Sequence, residues 1–131
     1  MSAYKTIKGF TVQSLATDPL TGGGAAGGTW SSGGNLNTAT REFAGLGTQT
    51  AALAVGGNVG TAGSSNTDTK KTELYNGTSW TEVNDTNANK NMAGTAGTTS
   101  AGLAFGGHPV STSPYLALNE SWNGTSWSEV A

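Results

Sequence analysis

Cysteine is absent from the 131 residues, charged residues make up only 11%, and no long apolar run occurs. Without cysteine the chain forms no disulfide and offers neither a thiolate nucleophile nor a thiolate metal ligand. Six basic and eight acidic residues give a net charge of -2, without the basic stripe that attracts nucleic acid or anionic membranes. The longest apolar stretches, such as 51–55, fall far short of the roughly 20 residues that span a bilayer. We therefore expect no nucleic-acid partner and no membrane insertion.

The residues that are abundant favour β-structure with many turns. Gly, Thr, Ser and Asn fill half of the chain, and all four are poor helix formers. Hydrophobic residues reach only 34%, below the roughly 45–50% of ordinary globular domains. Four tryptophans in ordered-looking contexts nevertheless argue against disorder. The composition predicts an all-β protein.

Two segments of the sequence are repeated. GTQTAALAVGG at 47–57 returns as GTTSAGLAFGG at 97–107, and ELYNGTSWTEV at 73–83 returns as ESWNGTSWSEV at 120–130. Trp30 precedes Trp80 by the same 50-residue step that separates the first pair of segments. Such a period is the signature of a repeat architecture. We predict two complete units, about 41–83 and 91–130, preceded by an orphan segment near Trp30.

Each unit is predicted to contain four short strands. An Asn-Gly pair between the last two strands (76–77 and 123–124) is a strong hairpin signal. A Gly-Gly pair after the second strand supplies backbone angles that other residues avoid. Four strands in about 50 residues is the period of a propeller blade. The predicted strands are 43–47, 50–55, 71–75 and 79–83 in the first unit, and 92–97, 100–105, 118–122 and 126–130 in the second.

This order of motifs resembles the kelch repeat, whose units form the blades of β-propellers. The resemblance rests on the apolar run, Gly-Gly, a variable loop, Glu-x-(Tyr/Trp)-Asn-Gly and then Trp. Kelch units also tend to carry an arginine near the first strand; Arg41 fits, whereas Asn91 stands near that place in the second unit. The resemblance implies kelch-like blades, two per chain.

The amino-acid sequence of the repeats is also similar to that of kelch-like arrays in structural proteins of marine tailed phages, especially cyanophages. The segments NLNTATR, GTQTAALAVGG and ELYNGTSWTEV carry this similarity, together with YKTIKGFTVQ at 4–13 and LATDP at 15–19. It implies a non-enzymatic virion protein of the tail, fibre or capsid, with a contribution to host attachment. Such a protein is made in the host cytoplasm and carried on the particle, and the N-terminus shows no signal-peptide pattern.

Two blades leave two apolar sheet faces unpaired, whereas closed propellers have about 4–8 blades. We expect copies of the chain to close the ring, with a trimer favoured because kelch-type propellers are commonly six- or seven-bladed. A blade array cut from a longer chain is the alternative. Residues 1–29 are expected to form an N-terminal strand or tether with a Gly-rich linker that binds other virion proteins, and 30–131 to form the blades. The segment around Trp30 is either an exchanged strand or part of that linker.

The residues singled out are mainly structural. Those expected to pack the blades are Trp30, Trp80, Trp127, Tyr75, Trp122, Gly56, Gly57, Gly106 and Gly107. His108 and Tyr115 are candidate rim contacts, and Trp122 or Tyr115 is the candidate for stacking on a host-surface glycan. A multivalent glycan-binding lectin or adhesin is the alternative function.

No arrangement in the sequence indicates catalysis, a metal or a cofactor. His108 is the only histidine, so neither a triad nor a zinc site is expected. Glu73, Glu82, Glu120 and Glu129 recur with the repeat, unlike the unique carboxylate pair of a glycosidase. We expect them to form salt bridges or to occupy solvated strand positions.

Overall fold

A computed structural model describes residues 31–60, 67–108 and 116–130, together with the backbone of two N-terminal strands. The chain divides into two compact units, Met1–Ser32 and Gly33–Ala131. The first contains an antiparallel hairpin of β1 (Tyr4–Ile7) and β2 (Phe10–Gln13). Trp30 and Tyr115 lie outside the described residues. The described residues include no helix that is long and apolar enough to cross a membrane.

The repeats form two antiparallel four-stranded sheets with the same up-and-down connectivity. In each sheet the four strands lie side by side in chain order. The strands of sheet 1 are β3 (Ala44–Thr48), β4 (Ala51–Val55), β7 (Thr72–Tyr75) and β8 (Trp80–Val83). Those of sheet 2 are β9 (Gly94–Gly97), β10 (Gly102–Phe105), β11 (Asn119–Trp122) and β12 (Trp127–Val130). All eight lie where the repeat pattern predicts strands, so the all-β prediction is confirmed.

The hairpins between the last two strands of each sheet use the same asparagine. Asn76 Oδ1 accepts hydrogen bonds from the backbone N–H of Thr78 at 2.9 Å and of Ser79 at 3.0 Å. Asn123 Oδ1 does the same in sheet 2 with Thr125 and Ser126, both at 2.9 Å. Asparagine favours turns because its side chain can replace a backbone acceptor in this way. The repeated Asn-Gly-Thr-Ser therefore fixes the register of both hairpins.

A short hairpin interrupts the first unit between its second and third strands. It pairs β5 (Asn58–Val59) with β6 (Thr67–Asp68), and Asn58 lies opposite Asp68. On its other side Asn58 forms an isolated bridge with Arg41, with hydrogen bonds of 2.8 and 3.0 Å between their backbones. This hairpin therefore ties the loop before sheet 1 to the end of β4.

Candidate functional site

The two sheets pack against each other through one face of each, and this joint holds the buried core. Sheet 1 contributes Leu46, Leu53 and Val55, with Leu74 and Val83 at the edge; we call this its forward face. Sheet 2 contributes Gly102, Ala104, Trp122 and Trp127, which we call its rear face. A Cβ added to Gly102 would lie 3.1 Å from Leu46 Cδ2, so the sheets are in close contact there.

A buried hydrogen bond between side chains joins the two sheets. Trp127 Nε1 donates a hydrogen bond to Thr72 Oγ1 at 3.1 Å, and both residues are buried. A buried indole N–H needs such a partner, because leaving it unpaired forfeits the hydrogen bond that water would provide. The contact therefore sets which rear-face tryptophan lies over which forward-face residue.

Each sheet has a second face that no other sheet covers within the described residues. The forward face of sheet 2 comprises the residues equivalent to the forward face of sheet 1, and Leu103 and Phe105 stand where Leu53 and Val55 are buried. Leu103 and Phe105 are each 45% exposed, and Val130, the equivalent of Val83, is 40% exposed. These three side chains share one face because they alternate with the buried residues of the same strands.

The uncovered rear face belongs to sheet 1. It carries Ala52, Tyr75 and Trp80, which are directly opposite one another across the strands and equivalent to Gly102, Trp122 and Trp127. The rings of Tyr75 and Trp80 are 4.9 Å apart, and those of Trp122 and Trp127 are 5.3 Å apart. The same aromatic pair is thus buried in sheet 2 and only half-buried in sheet 1.

The chain just before sheet 1 partly covers this aromatic pair. Trp80 Nε1 donates to the carbonyl of Gly34 at 3.1 Å, in place of the threonine hydroxyl that Trp127 uses. A Cβ at Gly33 would lie 3.3 Å from the hydroxyl oxygen of Tyr75. The irregular segment at residues 33–34 therefore satisfies the indole N–H without covering the whole rear face.

Both uncovered faces carry a shallow open depression. That on sheet 2 is lined by Ala96, Leu103 and Ser121 together with the backbone of neighbouring glycines. That on sheet 1 is lined by Phe43, Leu46, Ala52, Leu53 and Trp80, together with Gly45, Gly47 and Thr48. Neither lining includes an ionisable side chain, so neither depression offers a general acid, a general base or a metal ligand.

The repeated glutamates on the third strands anchor loops. Glu73 accepts hydrogen bonds from the backbone N–H groups of Asn37 and Thr38 at 2.8 and 2.9 Å, and from Asn37 Nδ2 at 3.0 Å. Glu120 accepts the equivalent bonds from Asn87 and Ala88, at 2.7 to 3.1 Å. Glu73 is only 3% exposed and Glu120 is fully buried. The prediction of salt bridges or solvated positions is therefore wrong for Glu73, which is a buried loop anchor.

Sheet 2 adds a buried cation to this arrangement. Lys90 Nζ donates to the carbonyl of Leu118 at 2.8 Å and lies 3.6 Å from Glu120 Oε1. The side chains of Lys90 and Glu120 are both fully buried, so each charge depends on the other for compensation. Thr40 stands at the equivalent place before sheet 1, so Glu73 has no counterpart of this lysine.

An exposed ion pair lies on the same face of sheet 1 as Glu73. Lys71 Nζ donates to Glu82 Oε1, and Thr38 Oγ1 donates to the same oxygen at 3.1 Å. The hydrogen bond from Lys71, helped by that from Thr38, lowers the pKa of Glu82, and the bond to Glu82 raises the pKa of Lys71. Leu118 replaces Lys71 in the second unit, so Glu129 lacks this partner.

The predicted Gly-Gly pairs adopt backbone angles that suit only glycine. Gly56 and Gly57 have φ values of 64° and 100°, and Gly106 and Gly107 have 66° and 116°. The first pair lies at the joint: the N–H of Gly57 donates to the carbonyl of Lys90, and a Cβ at Gly56 would overlap that carbonyl. A side chain at Gly56 would therefore push the second repeat unit away from the first repeat unit.

His108 lies in the loop after β10 and is partly buried. Its backbone N–H donates to the carbonyl of Asn91 at 2.7 Å, which repeats the bond from Asn58 to Arg41. In the part of the chain that the structure describes, no three His, Asp or Glu side chains are grouped closely enough to hold a metal ion. Protein-family profiles gave no match to this sequence, and a search of curated proteins found no similar sequence.

Proposed function

We propose that this chain is a non-enzymatic structural subunit of a phage virion that assembles by stacking its sheets as kelch-like propeller blades with copies of itself. The forward face of sheet 2 is the exposed equivalent of a face that is buried inside the same chain. The rear face of sheet 1 is likewise the half-buried equivalent of the face that covers it. The forward face of sheet 2 in one copy can therefore pack on the rear face of sheet 1 in the next copy.

This complementarity of the two free faces is the observation that carries the proposal. In the joint within one chain, a forward face of Leu and Val packs on a rear face of small residues and two aromatic rings. The free faces repeat that pattern, with Leu103, Phe105 and Val130 on one side and Ala52, Tyr75 and Trp80 on the other. A contact between different faces is head-to-tail, and it must close into a ring or continue as a filament.

The residue chemistry supports a structural rather than a catalytic role. The two depressions described above lack ionisable side chains, Glu73 and Glu120 hold loops, and Glu82 pairs with Lys71. The sequence similarity to structural proteins of marine tailed phages supports a place on the tail, fibre or capsid. Since each chain supplies two four-stranded sheets, three copies supply six, which is the number that the kelch resemblance favours.

The native mass of the purified chain, measured by light scattering on a sizing column, tests this proposal. We expect a discrete mass close to three times the chain mass of 13.1 kDa. Another discrete multiple would keep the head-to-tail contact and correct the copy number. The mass of a single chain across a wide concentration range would overturn self-assembly. Specific binding of the chain to a glycan on a glycan array would favour the lectin alternative instead.

A further inference from the structure

Three polar side chains meet inside the joint between the two repeat units. Asn58 and Asp68 face each other across the β5–β6 hairpin of the first unit, and Asn91 comes from the segment that leads into sheet 2. Asn58 Nδ2 and Asn91 Nδ2 both donate to Asp68 Oδ1, each at 3.2 Å. Asn58 and Asn91 are 1% exposed and Asp68 is 6% exposed. The cluster is thus buried and contains a carboxylate.

Each of these side chains also has a buried oxygen without a hydrogen-bond donor among the described residues. The three atoms are Asn58 Oδ1, Asn91 Oδ1 and Asp68 Oδ2. Buried polar atoms are nearly always paired, because an unpaired one loses its bonds to water and gains nothing in return. Three acceptors in one cluster therefore point to a bound species that the described residues do not supply.

The orientation of the two amides follows from Asp68. Rotating either amide by half a turn would bring its carbonyl oxygen against Asp68 Oδ1, and two acceptors would then face each other. With both N–H groups directed at Oδ1, both carbonyl oxygens are left without a hydrogen-bond donor. The donor set offered to a ligand is therefore made of oxygen alone.

We propose that Asn58, Asp68 and Asn91 form a binding site for a divalent cation of the Ca²⁺ type. Carboxylate and amide oxygens are ligands that Ca²⁺ accepts readily, with backbone carbonyls and water completing its shell. The cation would also neutralise Asp68, whose two hydrogen bonds come from neutral amides. A single water has two hydrogens and would leave one of the three oxygens unpaired.

The place of the cluster gives the cation a structural task. The backbone of Lys90 bonds across the same joint, accepting from Gly57 N–H and donating to the Thr69 carbonyl at 3.4 Å. A cation beside Asn91 would add a further link between the units. At the equivalent positions His108 replaces Asn58 and Arg41 replaces Asn91, so this oxygen set is not repeated. The site belongs to the joint inside one chain, and its test is independent of self-assembly.

Calorimetric titration of the chelator-treated full chain with CaCl₂ tests the site. With one carboxylate among the ligands, we expect weak binding of one ion per chain, with a Kd of about 10⁻⁴–10⁻³ M. Saturating Ca²⁺ should raise the unfolding temperature, because it binds only the folded chain. Asp68→Asn should abolish both effects. Glu82→Gln, which removes an exposed carboxylate elsewhere, should leave both unchanged.

A second variant keeps the test decisive if Asp68→Asn fails to fold. Asn91→Asp adds a carboxylate to the cluster, so it should lower the unfolding temperature without Ca²⁺ and tighten binding by about tenfold with it. If Asn91 only fills space, Asn91→Asp should destabilise the protein equally with and without Ca²⁺. The proposal is overturned if the wild-type chain binds no Ca²⁺ at about 10 mM, well above the expected Kd. It is also overturned if Asn91→Asp fails to tighten binding, and ordered water would then account for the three oxygens.

Discussion

Leu53 and Leu103 occupy the same position in two sheets of identical connectivity, yet Leu53 is 1% exposed and Leu103 is 45% exposed. The difference arises because sheet 2 covers the forward face of sheet 1, whereas no described residue forms a sheet over the forward face of sheet 2. Burying a leucine is worth about 1.5–3 kcal/mol, so a face with Leu103, Phe105 and Val130 gains substantially from a partner. The first prediction uses this pair as its own control.

Leu103→Asp should dissociate the assembly and leave the folded chain almost unchanged, because the new carboxylate remains in water. We expect its free energy of unfolding to stay within about 0.5 kcal/mol of wild type when both are measured at concentrations where chains are separate. Leu53→Asp should cost more than about 4 kcal/mol, since it buries an unpaired charge. Urea denaturation and light scattering measure the two effects. An assembly that persists in Leu103→Asp would contradict the proposed interface.

Glu73→Gln should destabilise the fold through the loop that it anchors. The substituted amide keeps the shape but turns an N–H group toward the donors of Asn37 and Thr38, so at least one bond is lost. We expect a loss of about 1–3 kcal/mol in the free energy of unfolding, measured by chemical denaturation. Glu82→Gln is the matched control on the neighbouring strand, because Glu82 lies directly opposite Glu73 and is exposed. An equal effect of both substitutions would contradict the anchoring role.

Lys90→Met should be among the most damaging single substitutions in sheet 2. It leaves the Glu120 carboxylate buried without its cation, which costs about 3–5 kcal/mol. Adding Glu120→Gln to the same chain should recover part of that loss, because the uncompensated charge is then removed. A double-mutant cycle by urea denaturation measures the coupling between the two residues. Losses that simply add would show that Lys90 acts only by packing.

The Lys71–Glu82 pair should stabilise the protein within a defined pH window. The pKa of Glu82 is lowered in the folded chain, so its contribution is present above the ordinary value of 4.5 and lost as pH falls through the lowered value. The pKa of Lys71 is raised, so its contribution is present below the ordinary value of 10.5 and lost as pH rises through the raised value. The stability difference between wild type and Glu82→Gln should therefore be largest between these limits.

Unfolding temperatures of wild type and Glu82→Gln, measured from about pH 3 to about pH 8, locate the lower edge of this window. Glu129→Gln is the control, because Leu118 stands in place of Lys71 beside Glu129. The stability difference for Glu129→Gln should change little with pH. A Glu82→Gln difference that stays constant down to the lowest pH would contradict the assigned ion pair.

Local features of the fold could be predicted from the sequence because the repeat reports them twice. The apolar run 51–55 and its copy, the Gly-Gly pairs and the Asn-Gly turns all act over a few residues, and the strands lie where these signals place them. The two sheets were also expected to differ in their surroundings, since two blades cannot cover four faces. How far Leu103 and Phe105 are exposed depended on which face of sheet 1 packs on sheet 2, and the repeat alone does not fix that.

Contacts between distant segments could not be predicted in this way. Glu73 recurs as Glu120, but its partner Asn37 lies 36 residues earlier, and only the path of the chain brings them together. Asp68 lies in a stretch of sequence that has no calcium-loop pattern. Its neighbours Asn58 and Asn91 lie 10 and 23 residues away and belong to different units, so the cluster exists only after the two units have packed.

Chemical cross-linking between two chosen positions tests head-to-tail assembly most directly. Leu46 contacts Gly102 across the joint within one chain, and the equivalent residues on the free faces are Ala96 and Ala52. Because the chain has no cysteine, Ala52→Cys and Ala96→Cys can be introduced together without a background reaction. A short bis-maleimide should then link one chain to the next, giving covalent multimers on a denaturing gel. Each single variant should remain unlinked, because a head-to-tail contact places position 52 against position 96. Multimers no more abundant in the double variant than in the single variants would contradict the account.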